Sequence, residues 1–304
     1  MNLTTRIRPF ACILAAAFCL QSKLTAGESS NFSRSLLKLG YLQVELRRTD
    51  ENSLFLFARV NGRKRSCLVD TGWSFTTVST NTAARLTNSN LIDHLELGSV
   101  SLTNQPTRAQ DIRIAGEPAS SDVVLGCDFL LAHHAILDCA NRRLYLRHNA
   151  LTLEEAASLK KLLADSNRVS AEMNLRSPPA MTIATRLNGH AAEFLVDSGA
   201  VWSCLDAKVS NSFDLRLSPS PNQLTGAVAT DKKSFRITTV RKFAVAGKTI
   251  QDMSLAVLSL EPWGFGMDGK LFKDVNGILG GAELIANGAV IDFSSKKLWL
   301  RSIR

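Results

Sequence analysis

The sequence predicts an all-β chain of two homologous copies joined by a connecting helix. Two short stretches carry that reading first: Leu68-Val69-Asp70-Thr71-Gly72 and Leu195-Val196-Asp197-Ser198-Gly199. Each sets an aspartate, a small hydroxyl residue and a glycine directly after a run of apolar, β-favouring residues. The second observation is that their surroundings repeat. Val60-Asn61-Gly62 stands before Asp70 as Leu187-Asn188-Gly189 stands before Asp197, at the same spacing. Downstream, Val124-Leu125-Gly126 matches Ile278-Leu279-Gly280, and Ala135-Ile136-Leu137-Asp138 matches Ala289-Val290-Ile291-Asp292. These later pairs share a second constant offset, which identifies two diverged copies of one unit. A length of 304 residues fits two domains.

The chain divides on this reading into residues 1–26, 40–150, 151–167 and 168–304. The first segment reads as a secretory signal. Arg6 and Arg8 supply a basic end, Pro9 to Leu20 an apolar stretch too short to span a bilayer, and Ala26 a cleavage position. An uncleaved anchor is the alternative. The expectation is an exported protein, periplasmic or extracellular, with no stable membrane span once the signal is gone. Export would remove Cys12 and Cys19, leaving Cys67, Cys127, Cys139 and Cys204. That is too few for a disulfide scaffold, although one pair is open in an oxidising compartment. Cys67 and Cys204 stand in apolar contexts and read as buried small hydrophobes.

In the first copy, Leu42, Val44 and Leu46 alternate with polar residues as in a half-buried strand. Leu54 to Val60 and Arg65 to Val69 flank Asn61-Gly62, a strong hairpin signal because both residues tolerate positive φ. Asp70 therefore falls just past a hairpin strand, and Thr71-Gly72 forces a tight turn. Thr152 to Ser166 predicts the helix, with Thr152 and Glu155 forming a capping box and Leu159, Leu162 and Leu163 at helical spacing. Ser177-Pro178-Pro179 reads as an extended lead-in to the second hairpin, Met181 to Leu187 and Ala191 to Val196. The second copy is longer, mostly between Leu205 and Phe243, where Gln223 to Val228 and Lys233 to Ile237 suggest a further hairpin.

Several function classes are excluded. The formal charge of +9 falls by three, to +6, without Arg6, Arg8 and Lys23, and the longest basic run is Arg63-Lys64-Arg65. That is a solvated basic surface and not a nucleic-acid stripe. There is no Cys-x-x-Cys and the histidines lack ligand spacing, so no metal is expected. Gly264 to Gly269 fits a dinucleotide fingerprint literally, but without the strand and helix that fingerprint needs. No nucleophile elbow or phosphate loop occurs, and no cofactor is expected. Asp138 and Asp292 read as strand-end or turn residues, and Asp128, with Ala282 at the matching position, as structural, with a supporting role behind the site as the alternative.

The paired Asp-Thr/Ser-Gly stretches, the two apolar-apolar-glycine segments and Leu125-Gly126-Cys127-Asp128-Phe129-Leu130 together resemble the aspartic proteases of the pepsin and retroviral-protease group. They are most similar to retropepsin-like domains of exported bacterial proteins. The resemblance implies two homologous β-barrel-like lobes with an active-site cleft between them, each glycine-ended segment lying beneath its own aspartate loop. It implies that Asp70 and Asp197 are catalytic, that Thr71 and Ser198 cross-brace the loops with Gly72 and Gly199 in support, and that Thr225, Gly226 and Ala227 tip a flap. The substrate would be a peptide or protein, cut by an aspartic endopeptidase that is a monomeric, intramolecular pseudo-dimer. Pairing between two chains is the other arrangement. Trp73 departs from the small residue usual after the first glycine and would shape or narrow the cleft. The first copy lacks a flap, and residues 27–40 are too short for a long inhibitory prosegment. A non-catalytic peptide-binding or assembly protein with a degenerate cleft is the alternative function.

Overall fold

The computed structural model describes residues 25–110, 122–224, 233–260 and 274–302. The expected signal segment, the proposed flap tip (Thr225, Gly226 and Ala227) and the glycine-rich stretch at 264–269 lie outside the described residues. What is described is mostly strand, in two sheets of eight and thirteen strands, with a few helices. The all-β expectation holds.

Both Asn-Gly hairpins form at the expected positions. Leu54–Val60 pairs antiparallel with Arg63–Val69 around Asn61 and Gly62, at φ +47° and +77°. Ala180–Leu187 pairs with His190–Val196 around Asn188 and Gly189, at φ +49° and +95°. An asparagine at positive φ bends the chain with the same hand as the twisting strands, so these turns set the register of the strands that end at Asp70 and Asp197.

One sheet is shared by the two halves of the chain. Its first three strands, Leu42–Glu45, Arg143–Leu146 and Ile136–Asp138, come from the first half. The next three, Val290–Asp292, Lys297–Arg301 and Arg168–Arg176, come from the second. At the seam Leu137 pairs with Ile291, its own counterpart in the other copy, with Ile136↔Asp292 and Asp138↔Val290 on either side. A residue that pairs with its own equivalent marks a local twofold axis. Asp138 and Asp292 end these strands. Asp138 accepts from the Asn141 N–H (3.1 Å), and Asp292 accepts from the N–H groups of Ser294 and Ser295 (2.9 and 3.1 Å). Both therefore fasten turns, as expected.

The helix Leu153–Asp165 begins at Thr152 with the anticipated capping box. Its Leu159 and Leu163 join Phe32 and Leu36 of the helix Thr25–Lys38 against Tyr145, Val290 and Trp299 on one face of the shared sheet. Two features differ from expectation. Residues 168–176 are a strand, and Ser177-Pro178-Pro179 is the turn between Arg168–Arg176 and Ala180–Leu187 rather than an extended lead-in. The halves also meet through the paired strands at the seam and not only through the linking helix. On the other side a large apolar core draws on both halves, from Val69, Leu95 and Leu125 to Phe194, Phe243 and Leu279. The four cysteines within the described residues are free and buried.

Candidate functional site

Each of the two aspartates stands where a hairpin strand runs into a loop. In the first half Arg63–Val69 lies parallel to Val123–Leu125, and the Asp70 N–H donates to the Leu125 carbonyl at 3.1 Å. In the second half His190–Val196 lies parallel to Gly277–Leu279, and the Asp197 N–H donates to the Leu279 carbonyl at 3.0 Å. The apolar-apolar-glycine segments thus lie beside their own loops. The closing glycines are needed for clearance. A Cβ on Gly126 would come within 2.7 Å of the Phe75 backbone, and one on Gly280 within 2.5 Å of Trp202.

The loops bring Asp70 and Asp197 face to face. Asp70 Oδ1 accepts from the N–H groups of Gly72 (2.9 Å) and Trp73 (3.1 Å). Asp197 Oδ1 accepts from Gly199 (2.8 Å) and Ala200 (3.0 Å). The remaining faces of the carboxyls turn toward each other across the approximate twofold axis. A Cβ on Gly72 would sit 2.3 Å from Asp197 Cγ, and a Cβ on Gly199 2.2 Å from Asp70 Oδ2. Only glycine leaves that space. The two side chains hydrogen-bond to one another and are 8 % and 5 % exposed.

Thr71 and Ser198 lock this arrangement. The Thr71 hydroxyl donates to the Val196 carbonyl (2.8 Å) and accepts from the Ser198 N–H (2.9 Å). The Ser198 hydroxyl donates to the Val69 carbonyl (2.9 Å) and accepts from the Thr71 N–H (3.2 Å). Every bond crosses from one half to the other, and every group is buried.

Burial raises the pKa of both carboxyls. Asp70 is pushed well up, by burial first, then by the charge of Asp197 and the bond between them. For Asp197 burial also dominates, against the hydrogen bond with Asp70 and backbone N–H bonds, which favour its charged form. Two buried carboxyls in contact cannot both ionise readily, so such a pair favours sharing one proton and titrates as a unit. Such a pair can deprotonate a bound water with one member while the other donates a hydrogen bond.

One layer behind, a second network braces each loop. The Thr76 N–H and hydroxyl donate to Asp128 Oδ1 at 2.7 and 2.9 Å, while Thr76 accepts from the Gly126 N–H at 3.3 Å. In the second half the Ser203 N–H and hydroxyl donate to Glu283 Oε2 at 3.1 and 2.5 Å, and Ser203 accepts from the Gly280 N–H at 2.9 Å. Residue matching alone aligns Asp128 with Ala282 and hides this pair. Glu283, one position on and one methylene longer, reaches the same place. The signal was a hydroxyl six residues after each aspartate.

Trp73 is half-buried against Leu68 and Val124, and its indole N–H donates to the Thr77 hydroxyl at 2.8 Å. Its ring is therefore anchored to its own half. The strands Ser218–Leu224 and Lys233–Val245 form the expected additional hairpin, pairing Gln223↔Ser234 and Leu224↔Lys233 at the last described positions before its tip. At the root of this hairpin Phe235 packs on Trp202, with ring centroids 6.3 Å apart, and Trp202 remains 40 % exposed. Among the described residues no cluster of histidine, cysteine and carboxylate side chains forms a metal site, and no helix is long and apolar enough to cross a membrane.

Residues 183–268 match the family model described as gag-polyprotein putative aspartyl protease. No curated protein matches the chain. Among solved structures, the aspartic proteinase from Irpex lacteus aligns at a TM-score of 0.48 and 14% identity, over 86% of this chain and 97% of its own. The soybean basic 7S globulin aligns at 0.46 and 11%, over 86% and 94%. A retropepsin-like aspartic protease from Rickettsia conorii aligns at 0.33 and 20%, over 44% of this chain and 90% of its own.

Proposed function

We propose that this chain, retropepsin-like in its second half, is an aspartic endopeptidase whose dyad is Asp70 and Asp197, one aspartate from each half. The observation that carries the reading is the reciprocal clearance at the two loops, where each glycine makes room for the other half's carboxyl. A surface that merely bound peptides would not need two buried, mutually bonded acids, whose burial costs stability.

In this mechanism a water sits between the carboxyls. The ionised member takes its proton as the water oxygen attacks the peptide carbonyl carbon, and the protonated member hydrogen-bonds the carbonyl oxygen. The tetrahedral intermediate then collapses with a proton delivered to the leaving nitrogen. The Thr71 and Ser198 cross-braces hold the carboxyls in place through this exchange. The Ser218–Val245 hairpin would cover a bound peptide from one side, with Trp202 and Phe235 at its root. The substrate is a peptide or protein, and a single chain suffices for one site. Export by the segment at residues 1–26 belongs to the same proposal and is tested by the N-terminus of the exported protein.

The test is digestion of a mixed peptide library between about pH 3 and 7, read by mass spectrometry, with Asp70→Asn and Asp197→Asn alongside. Cleavage by the parent protein and loss in both variants is expected. Full activity in either variant would sink the dyad, and binding without cleavage would favour a degenerate, peptide-holding cleft.

A further inference from the structure

Far from the facing aspartates, the first half carries a concave basic corner of about 420 Å³, lined by Arg63, Lys64, Arg65 and Arg85 with Asn81, Thr82 and Asp122. Arg65 stands five residues before Asp70 on one strand, about 16 Å away at the rise of an extended chain. None of the four cations has an ion-pair partner among the described residues, and Arg65 Nε is buried without a hydrogen-bond partner there. Lys64 lies over the Phe57 ring at 4.3 Å.

The second half builds the same acceptor bond and serves as an internal control. At the matching positions it has His190, Ala191, Ala192 and Ser212 for the four cations, and Asn276 for Asp122. Asn276 Oδ1 accepts from the Glu193 N–H at 2.8 Å, just as Asp122 Oδ2 accepts from the Ser66 N–H at 3.2 Å. The fold therefore needs an acceptor there but no positive charge. Setting four cations without ion-pair partners around one hollow costs stability by mutual repulsion, which a resident anion would relieve.

We propose that this corner is a binding site for a phosphoryl group. Arg63, Arg65 and Arg85 line the hollow beside one acid, whose oxygens are already engaged by the Ser66 N–H and the Thr82 hydroxyl (3.3 Å), and Lys64 adds charge at its rim. A single compact hollow suits one dense, multiply charged group with several acceptor oxygens. Carboxylates strung along an acidic peptide would carry one charge each and spread beyond it. Guanidinium forks match phosphate oxygens in pairs, and lysine adds a point charge.

The test is calorimetric titration of the full chain with inorganic pyrophosphate, and with citrate as the carboxylate rival. Pyrophosphate is expected to bind at least tenfold more tightly than citrate. Arg65→Gln combined with Arg85→Gln should weaken it tenfold or more. Lys160→Gln combined with Lys161→Gln removes equal charge from an exposed helix and should leave it unchanged. Asp122→Asn, which keeps the acceptor as Asn276 does, should tighten binding. Equal weakening in the two double variants, citrate binding as tightly as pyrophosphate, or no saturable binding would each overturn the site. Vesicles of phosphatidylcholine with and without phosphatidic acid separate the sources. Retention that pyrophosphate displaces assigns a lipid headgroup, and pyrophosphate binding without retention assigns a soluble phosphoryl compound. Peptide cleavage plays no part in these readings, so the site and the dyad stand or fall separately.

Discussion

The Thr71 hydroxyl and the Ser198 hydroxyl each bond the backbone of the opposite half, making four buried hydrogen bonds across the approximate twofold axis. Thr71→Val keeps the shape and removes the hydroxyl, leaving the Val196 carbonyl and the Ser198 N–H buried without a partner. Each such orphan costs about 1–3 kcal/mol. Urea denaturation should show a loss of roughly 2–4 kcal/mol for this variant, with Thr71→Ser largely restoring it. A cycle with Ser198→Ala should be non-additive, because the two hydroxyls serve one brace.

The dyad predicts an opposite effect of mutation on stability and activity. Burial raises the pKa of both aspartates. A carboxyl with a raised folded pKa contributes its stability fully below the unfolded value, near 4, and loses it as pH rises through the folded value. Asp70→Asn removes the group that must be ionised or share a proton in that window. Its melting temperature should therefore exceed that of the parent at pH 7, and the gap should close toward pH 3, while cleavage is lost throughout. A variant melting below the parent at pH 7 would contradict the strained-pair account.

Gly72→Ala tests the clearance directly. Its Cβ would stand 2.3 Å from Asp197 Cγ, so one loop must retreat. A displacement of about 1 Å at a reacting group can cost about 100-fold in rate. A loss of that order in kcat is expected, and the same for Gly199→Ala, with much smaller changes in kcat at Gly62 or Gly189, where a Cβ meets nothing and the positive φ costs stability rather than rate.

These loops explain what the chain's own letters made legible. Period-two patterns, Asn-Gly turns and a duplicated Asp-Thr/Ser-Gly are local features, and each pointed to the hairpins, the capped helix and the facing aspartates. Arg168–Arg176 was not legible, because its pattern is mixed and half-buried and its partners, Lys297–Arg301 and Ala180–Leu187, lie on either side. The self-pairing of Leu137 with Ile291 is also a tertiary event that neither copy states alone. Glu283 was missed for a further reason. Matching copies residue by residue assumes that equivalent contacts come from equivalent positions, and a longer side chain one place along broke that rule.

The second network yields a prediction that separates positioning from mere stability. Asp128 Oδ1 takes three donors, the N–H groups of Thr76 and Phe129 and the Thr76 hydroxyl. Asp128→Asn keeps an acceptor and should cost little, whereas Asp128→Ala orphans the donors at about 1–3 kcal/mol for each one left dry. If the brace positions the dyad, the alanine variant should also shift the pH profile of kcat and recover with asparagine. A variant that loses stability with an unmoved profile would reduce Asp128 to a strut.

Buried His133 predicts that the fold loses stability in acid. Its Nε2 meets Gln105 Oε1 at 2.8 Å, and its Nδ1 is buried without a hydrogen-bond partner among the described residues. Burial, with His148 and His134 nearby, pushes its pKa down to about 4. In the unfolded chain the same group titrates near 6.5. Between those values the unfolded state binds the additional proton, so stability falls as pH drops from 6.5 to 4 and this contribution levels off below. His133→Phe leaves Gln105 Oε1 without its imidazole partner and should lower stability at every pH, but its decline over that window should be shallower than the parent's. Parallel curves for the two proteins would show that His133 is not the group responsible. A shallower curve would tie the acid limit of the fold to one imidazole in the first half, remote in sequence from both aspartates.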